Sequence, residues 1–247
     1  MARIGIHGAL LWVLLFLFYV GMGCSSSHEP ILGSGVLVTR SPEIASFHSI
    51  QADGVGIIEL LQGEREGVVM TIDDNLTDQV AMQVEGGVLR IDFGEGKPSF
   101  QPSQPPIFTI TVRKIDKIDL EGIWSLKTPE QLVVQKLQLI TSGSSHVEID
   151  VSGHQLLFTM LGAGSVKVKG ETDEEQVTLA GMGSFFGYSL SSKRTTVDLS
   201  GTGHAEVHAS EQLNVDISGS GSVFYRGVPV IRETITGVGT LRHGNKE

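Results

Sequence analysis

The sequence predicts an all-β protein, a parallel β-solenoid whose coils of about 18–21 residues turn at Gly-x-Gly corners. The first observation is a repeated unit whose first glycine recurs about every 20 residues, and such a fixed period is typical of solenoids. The second is that apolar side chains alternate with period two on both sides of each unit, which is the period of a strand. The clear copies begin at Gly162, Gly181, Gly201, Gly219 and Gly237, and degenerate copies at Gly122 and Gly143.

Each repeat is predicted to be two short strands joined at a glycine corner. Val177 and Leu179 stand four and two residues before Gly181, and the same places before Gly201 and Gly219 are apolar too. Stacked repeats would bury these side chains in one continuous core. Glycine is expected at the corners because a sharp turn often requires positive φ, and because neighbouring coils lie only ~4.8 Å apart.

The N-terminal part of the chain is also rich in strands, but its pattern is less regular. No linker divides the chain, so we expect one solenoid domain over 33–247, irregular over 33–115 and regular over 116–247. Residues 24–32 would form a short polar tether before it. Strands are predicted at 36–39, 57–61, 68–72, 80–84 and 88–93.

Composition narrows the classes of function. The 247 residues include 28 acidic and 18 basic side chains, a formal net charge of -10. This balance argues against a nucleic-acid partner, because binding to phosphates needs a basic face. Glycine is abundant, at 31 residues against 8 prolines, which favours many tight corners over a flexible linker. The single cysteine excludes an intramolecular disulfide.

Residues 1–23 are typical of an export signal of the lipoprotein type. Arg3 gives the positive start, and the apolar run at 9–20 is too short for a membrane span, which needs ~20 residues. The only cysteine, Cys24, follows this run directly. We therefore predict that Cys24 carries fatty-acyl chains such as palmitate and anchors an exported protein to the bacterial outer membrane or cell surface. The alternatives are an uncleaved N-terminal anchor and an ordinary secreted protein.

One outward-facing row of the predicted solenoid is a candidate ligand-contact surface. The residues three places after the second glycine position are Lys127, Glu148, Lys167, Phe186, Glu206, Phe224 and Arg242. Lys127, Glu148 and Lys167 alternate in sign, as favourable cross-strand neighbours should. Phe186 and Phe224 would flank Glu206 and offer a small platform for a glycan or a protein. Isolated apolar side chains are also common on ordinary protein surfaces.

A second outward row holds two carboxylates on adjacent coils. Asp198 and Asp216 fall in register, and like charges there repel unless water or a cation separates them. The interpretations are a solvated acidic face, a bound cation or a catalytic pair.

The sequence carries no catalytic or metal-binding motif. His204 and His208 lie about 13 Å apart on a strand, at ~3.3 Å per residue, and cannot bind one ion by themselves. The Gly-x-Gly units lack the third glycine and the helix of a nucleotide site. We therefore expect no catalytic residue, no metal and no cofactor.

Several segments in order resemble a known family. They are Gly33-Ser34-Gly35, Phe47-x-x-Ile50, Asp73-Asp74-Asn75-Leu76, Gly87-Val88-Leu89-Arg90-Ile91, the serial Gly-x-Gly units, and Val223-Phe224-Tyr225-Arg226-Gly227-Val228-Pro229-Val230. The sequence is similar to the bacterial family called putative auto-transporter adhesin, head GIN domain. That resemblance implies an exported, right-handed β-helical domain and brings no catalytic residues with it.

These observations predict a non-catalytic lipoprotein of the cell envelope, acting as a surface scaffold or an adhesin-like binding module. Its partners would be the membrane, through the N-terminal lipid, and a glycan or another envelope protein. Two alternatives stay open. One is a polysaccharide lyase or hydrolase, because β-helices also host those enzymes. The other is a sensor or assembly partner of envelope proteins.

Overall fold

The strands predicted from alternating apolar side chains stack into a solenoid. The structure, a computed structural model, describes residues 30–94 and 100–244. They form a β-solenoid of about six turns, so the predicted fold class is confirmed. The strands are β1 Ile31–Leu32, β2 Leu37–Arg40, β3 Ser49–Gln62, β4 Gly67–Asp73, β5 Ala81–Glu85, β6 Val88–Asp92, β7 Phe100–Gln101, β8 Ile107–Val112, β9 Lys117–Lys127, β10 Leu132–Met160, β11 Ala163–Leu179, β12 Met182–Leu199, β13 His204–Ile217, β14 Ser222–Arg226, β15 Val230–Ile235 and β16 Thr240–His243. A short 3-10 helix, Asp74–Gln79, follows β4.

The main sheet follows the chain from coil to coil. Its order is β16-β14-β13-β12-β11-β10-β9-β3-β8-β4-β2, with β15 on β13 and the β5–β6 pair on β3. All pairings from β9 to β16 are parallel. The irregular N-terminal part also uses antiparallel pairs, β2 with β4, β4 with β8 and β5 with β6.

From Gly143 to Gly219 each coil is one long bent strand, where the sequence predicted two short ones, whereas the coil after Gly219 does have two, β14 and β15. β11 and β12 are separated from the preceding and following strands of the chain only at the Gly-x-Gly corners. β10 even crosses the degenerate corner at Gly143 without interruption. The reason is that pairing to the adjacent coil continues through the other bends, as in Val151 with Gly170 and Ser152 with Glu171.

The core is a set of apolar columns inside the coils. Val177, Val197 and Val215 are Cα partners on successive strands and are at most 3% exposed. Leu179 and Leu199 form the next column in the same way. The alternation seen in the sequence therefore places the inward side chains correctly.

Of the two reasons predicted for the corner glycines, close stacking of the coils holds at Gly201 and Gly219, and positive φ does not. Positive φ was predicted for corners such as Gly201 and Gly219, but neither has it. A Cβ on Gly201 would instead overlap the carbonyl oxygen of Gly181 in the preceding coil, far inside ordinary van der Waals contact at ~3.5 Å. Close stacking of the coils, and not turn geometry, thus excludes a side chain there. Positive φ does occur at the degenerate corners Gly122 and Gly143.

The predictions for residues 1–29 lie outside the described part of the chain. The signal peptide at 1–23 and Cys24 are among these residues. Ile31–Leu32, which the sequence assigned to the tether, pairs with Phe100–Gln101 as a parallel strand. Within residues 30–94 and 100–244, no helix has the length and apolar character needed to cross a membrane.

Candidate functional site

The outward row predicted from the sequence exists as one continuous column. Its members are Cα partners from strand to strand, in the order Lys127, Glu148, Lys167, Phe186, Glu206, Phe224 and Arg242. Lys167 Nζ lies 3.5 Å from Glu148 Oε1. Lys127 Nζ lies 2.7 Å from Glu59, one strand further back. The coil period of the sequence was therefore enough to set the register of this face.

A surface groove of about 820 Å³ lies along this column. It is lined by residues of β9, β10, β11, β12, β13 and β14. Six parallel strands at ~4.8 Å spacing span about 24 Å. The groove thus crosses the strands and is long enough for an extended chain.

A row of aromatic rings starts in the groove with Phe186 and continues beside it. Phe186 lines the groove and is 38% exposed. The His204 ring lies between the two phenylalanines, with ring centroids 6.0 Å from Phe186 and 5.1 Å from Phe224. Glu206 Oε1 is 3.2 Å from His204 Nε2. The structure thus brings together Phe186, Glu206 and Phe224 as predicted, and adds His204, which sequence reasoning had weighed only as a metal ligand.

Tyr188 and Arg226 are groove residues that sequence reasoning missed. The Arg226 guanidinium lies 4.0 Å above the Tyr188 ring centroid, a cation–π contact. Burial raises the pKa of the Tyr188 hydroxyl, and the nearby Glu206 charge raises it further, against the opposing effect of Arg226. Tyr188 therefore stays a neutral phenol at physiological pH and can donate a hydrogen bond to a ligand.

A β-bulge places Tyr188 in this position. Lys167 pairs with Phe186 but Lys169 pairs with Ser189, so β12 holds one more residue than β11 between the same two points. Bulges redirect side chains, and they are common beside binding sites. The sequence carried a signal for it, because the glycine interval that contains Tyr188 is one residue longer than the interval before it.

The charges in the groove are mostly balanced. Lys169 Nζ lies 3.0 Å from Asp150 Oδ2, beside the Lys167–Glu148 and Lys127–Glu59 pairs. These pairs are partly exposed, so each contributes little to stability, roughly 0–1 kcal/mol. Their importance is chemical, because they line the groove with strong hydrogen-bond donors and acceptors without a large net charge.

The predicted acidic pair lies on another outward column. Asp198 and Asp216 are Cα partners on β12 and β13. Burial raises the pKa of Asp198 above its usual range, and the Asp216 charge raises it further, while a hydrogen bond from Gln176 lowers it. No cluster of three or more His, Cys, Asp or Glu side chains suited to a metal ion occurs in the described part of the chain.

A buried carboxyl, Glu175, lies in the core beneath another bend. It is 2% exposed and sits in the inward column between Leu156 and Thr195. Burial raises its pKa to about 8, although hydrogen bonds with Thr195 and Ser192 lower it. The alternation that places Val177 inward also places Glu175 inward, so this signal was present in the sequence. The sequence pattern did not indicate its hydrogen-bond partners, Thr195 and Ser192.

The fold and the groove define a class of protein: a β-solenoid that presents aromatic rings and paired charges along one outer face. The chain belongs to the family described as "Putative auto-transporter adhesin, head GIN domain", whose model matches residues 46–229. The resemblance found in the sequence is therefore confirmed. That description is one of adhesins exported to the cell surface.

Several solved structures share the fold. A "putative adhesin" from Bacteroides fragilis NCTC 9343 superposes with a TM-score of 0.82 at 23% identity, covering 86% of this chain and 99% of that one. A "putative lipid binding protein" from Parabacteroides distasonis ATCC 8503 gives 0.72 at 22% identity, covering 88% and 100%. A "putative adhesin" from the same organism gives 0.66 at 22% identity, covering 87% and 100%. None of the curated proteins matches the chain.

Proposed function

We propose that this protein is a non-catalytic, lipid-anchored binding module of the cell envelope that holds an extended, uncharged glycan in the groove. The observation that carries the proposal is the groove itself, which crosses six strands and has Phe186 exposed within it. Its length suits several linked sugars, because the coil spacing of ~4.8 Å is similar to the length of one sugar ring.

The chemistry of the groove favours a sugar polymer. Aromatic faces such as those of Phe186 and Tyr188 pack on the apolar faces of sugar rings, and the groove's ion pairs can exchange hydrogen bonds with hydroxyl groups. The paired state of Lys167 and Lys169 favours a neutral glycan over a strongly acidic one. A lipid chain fits less well, because most of the lining side chains are polar or charged.

A lyase or hydrolase activity is a less favoured function for the same groove. Catalysis on a glycan needs a carboxyl or other base that is free to move a proton at the sugar. Glu148 and Asp150 face lysines at 3.5 and 3.0 Å, and Glu206 faces His204 at 3.2 Å. Such pairing suits positioned hydrogen-bond acceptors better than it suits general acids. An envelope sensor or assembly partner would require a protein ligand, and among the residues that line the groove only Phe186 is an exposed large hydrophobic side chain.

Binding to a panel of purified neutral and acidic polysaccharides tests the proposal. We expect a neutral polysaccharide to bind, and Phe186→Ala to weaken that binding about tenfold, which is ~1.4 kcal/mol for one lost stacking contact. Met182→Ala is the matched control, because Met182 is also an exposed apolar side chain, at 73%, but does not line the groove. Equal loss in both variants, or no binding by any polysaccharide, would contradict the proposal.

The lipid anchor at Cys24 is a separate part of the proposal. Its support is a sole cysteine placed directly after the apolar run at 9–20. Cys24→Ser should move the protein from the membrane to the soluble fraction and abolish labelling by a fatty-acid analogue. Continued membrane association of the unlabelled variant would instead indicate an uncleaved anchor.

A further inference from the structure

The last described coil of the solenoid has an open strand edge. Among the described residues, β15 pairs only with β13, and β16 pairs only with β14. The opposite edge of β15, Val230–Ile235, is therefore left without a strand partner. A free edge of this kind presents a row of backbone N–H and C=O groups that another strand can pair with.

The inward side chains of β15 continue the core columns but are uncovered. Ile231 and Ile235 are the Cα partners of Leu213 and Ile217. Both partners are 0% exposed, whereas Ile231 is 38% and Ile235 is 40% exposed. One more coil would bury these isoleucines as the present coils bury the residues beneath them.

Glu233 interrupts this apolar face in its centre. It is the Cα partner of Val215, and so continues the column of Val177, Val197 and Val215. Glu233 is exposed, and no described basic group lies within ion-pair distance of it. A strand that covers β15 must therefore place a side chain directly opposite a carboxylate.

Glu233 also makes a second copy of this chain a poor occupant. In a two-fold antiparallel pairing centred on Glu233, Ile231 of each copy would cover Ile235 of the other. That register places Glu233 opposite Glu233, and like charges directly opposite on a sheet repel. The edge thus disfavours the self-pairing that would best bury its isoleucines, and it favours a partner strand with a positively charged side chain opposite Glu233.

We propose that β15 is a docking edge for an extended segment of a partner protein with the pattern apolar–x–basic–x–apolar. The segment adds to the solenoid as a further strand, as in other cases of β-augmentation. Its apolar side chains cover Ile231 and Ile235, and its lysine or arginine lies opposite Glu233. This site is distinct from the groove and does not depend on a glycan.

Two synthetic peptides test this edge. One contains the core isoleucine–threonine–lysine–threonine–isoleucine, and the other has glutamate in place of the lysine. Amide hydrogen exchange reports which backbone groups each peptide protects, and a titration gives the two affinities. We expect the lysine peptide to protect 230–235 and to bind at least about threefold tighter than the glutamate peptide, as expected for one cross-strand ion pair.

A charge reversal makes the test decisive. Glu233→Lys should bind the glutamate peptide better than the lysine peptide, because Glu233 is exposed and the variant keeps the fold. Glu43→Lys is the matched control, since it changes the net charge equally at another exposed glutamate, and it should keep the wild-type preference. The proposal is overturned if neither peptide binds at millimolar concentration, if protection lies away from β15, or if Glu233→Lys leaves the preference unchanged.

Discussion

The most informative perturbation of this solenoid is Glu175→Gln, which removes an ionisable carboxyl from the centre of its core. Ser192 Oγ donates to the carbonyl of His208 at 3.0 Å and also contacts Thr195 Oγ1. Thr195 Oγ1 donates to Glu175 Oε2 at 2.9 Å, whereas Glu175 Oε1 is buried without a hydrogen-bond partner. A negative charge on this carboxyl would therefore be poorly compensated, and burial favours its neutral form.

The magnitude follows from the shift of the Glu175 pKa from 4.5 to about 8. Between these values the native state holds one more proton than the unfolded state, so stability falls as pH rises, by ~1.4 kcal/mol per unit. Folding at pH 7 therefore costs about 3 kcal/mol relative to folding below pH 4.5. Glutamine does not titrate, and its amide oxygen can accept the hydrogen bond that Thr195 donates to the carboxyl.

Denaturant unfolding from pH 5 to pH 8 measures this effect. We expect the stability of Glu175→Gln relative to wild type to rise steadily with pH, whatever constant cost the buried amide N–H groups add. Strand circular dichroism follows the whole solenoid, and fluorescence of buried Trp124 follows its N-terminal half. The control is Glu174→Gln, because a hydrogen bond from Arg194 lowers the pKa of Glu174 and puts its titration below this window. Parallel pH profiles for wild type and Glu175→Gln would refute the assignment of a protonated core carboxyl.

Two further predictions concern the corners and the acidic pair. Gly201→Ala should destabilise the fold by about 1–3 kcal/mol, because the new Cβ forces two coils apart. The control Gly67→Ala, at a glycine with open space and no positive φ, should change stability by less than about 0.5 kcal/mol. Equal melting temperatures for the two variants would show that coil stacking does not require glycine. Asp216→Asn should lower the pKa of Asp198 and stabilise the fold by roughly 0.2–1 kcal/mol at low salt. The melting temperatures of both proteins should not change with EDTA or millimolar calcium. A calcium-dependent rise in melting temperature confined to the wild type would instead establish a bridging cation.

Much of this fold could be predicted because the solenoid has two short periods. Alternation within a strand decided which side chains face inward, and the spacing of glycines decided which residues of successive coils are neighbours. Together they placed Phe186, Glu206 and Phe224 in one column and Asp198 beside Asp216. These relations are local or recur at a fixed interval, so the linear sequence is sufficient to determine them.

The tertiary structure decided what those periods do not encode. The bulge after Phe186 brings Tyr188 under Arg226, two coils away, and the His204 ring fills the space between the two phenylalanines. The hydroxyl partners of Glu175 likewise come from the following coil. Each of these contacts depends on side-chain direction and backbone irregularity between distant residues. A periodic pattern averages over such details, whereas packing in three dimensions resolves them.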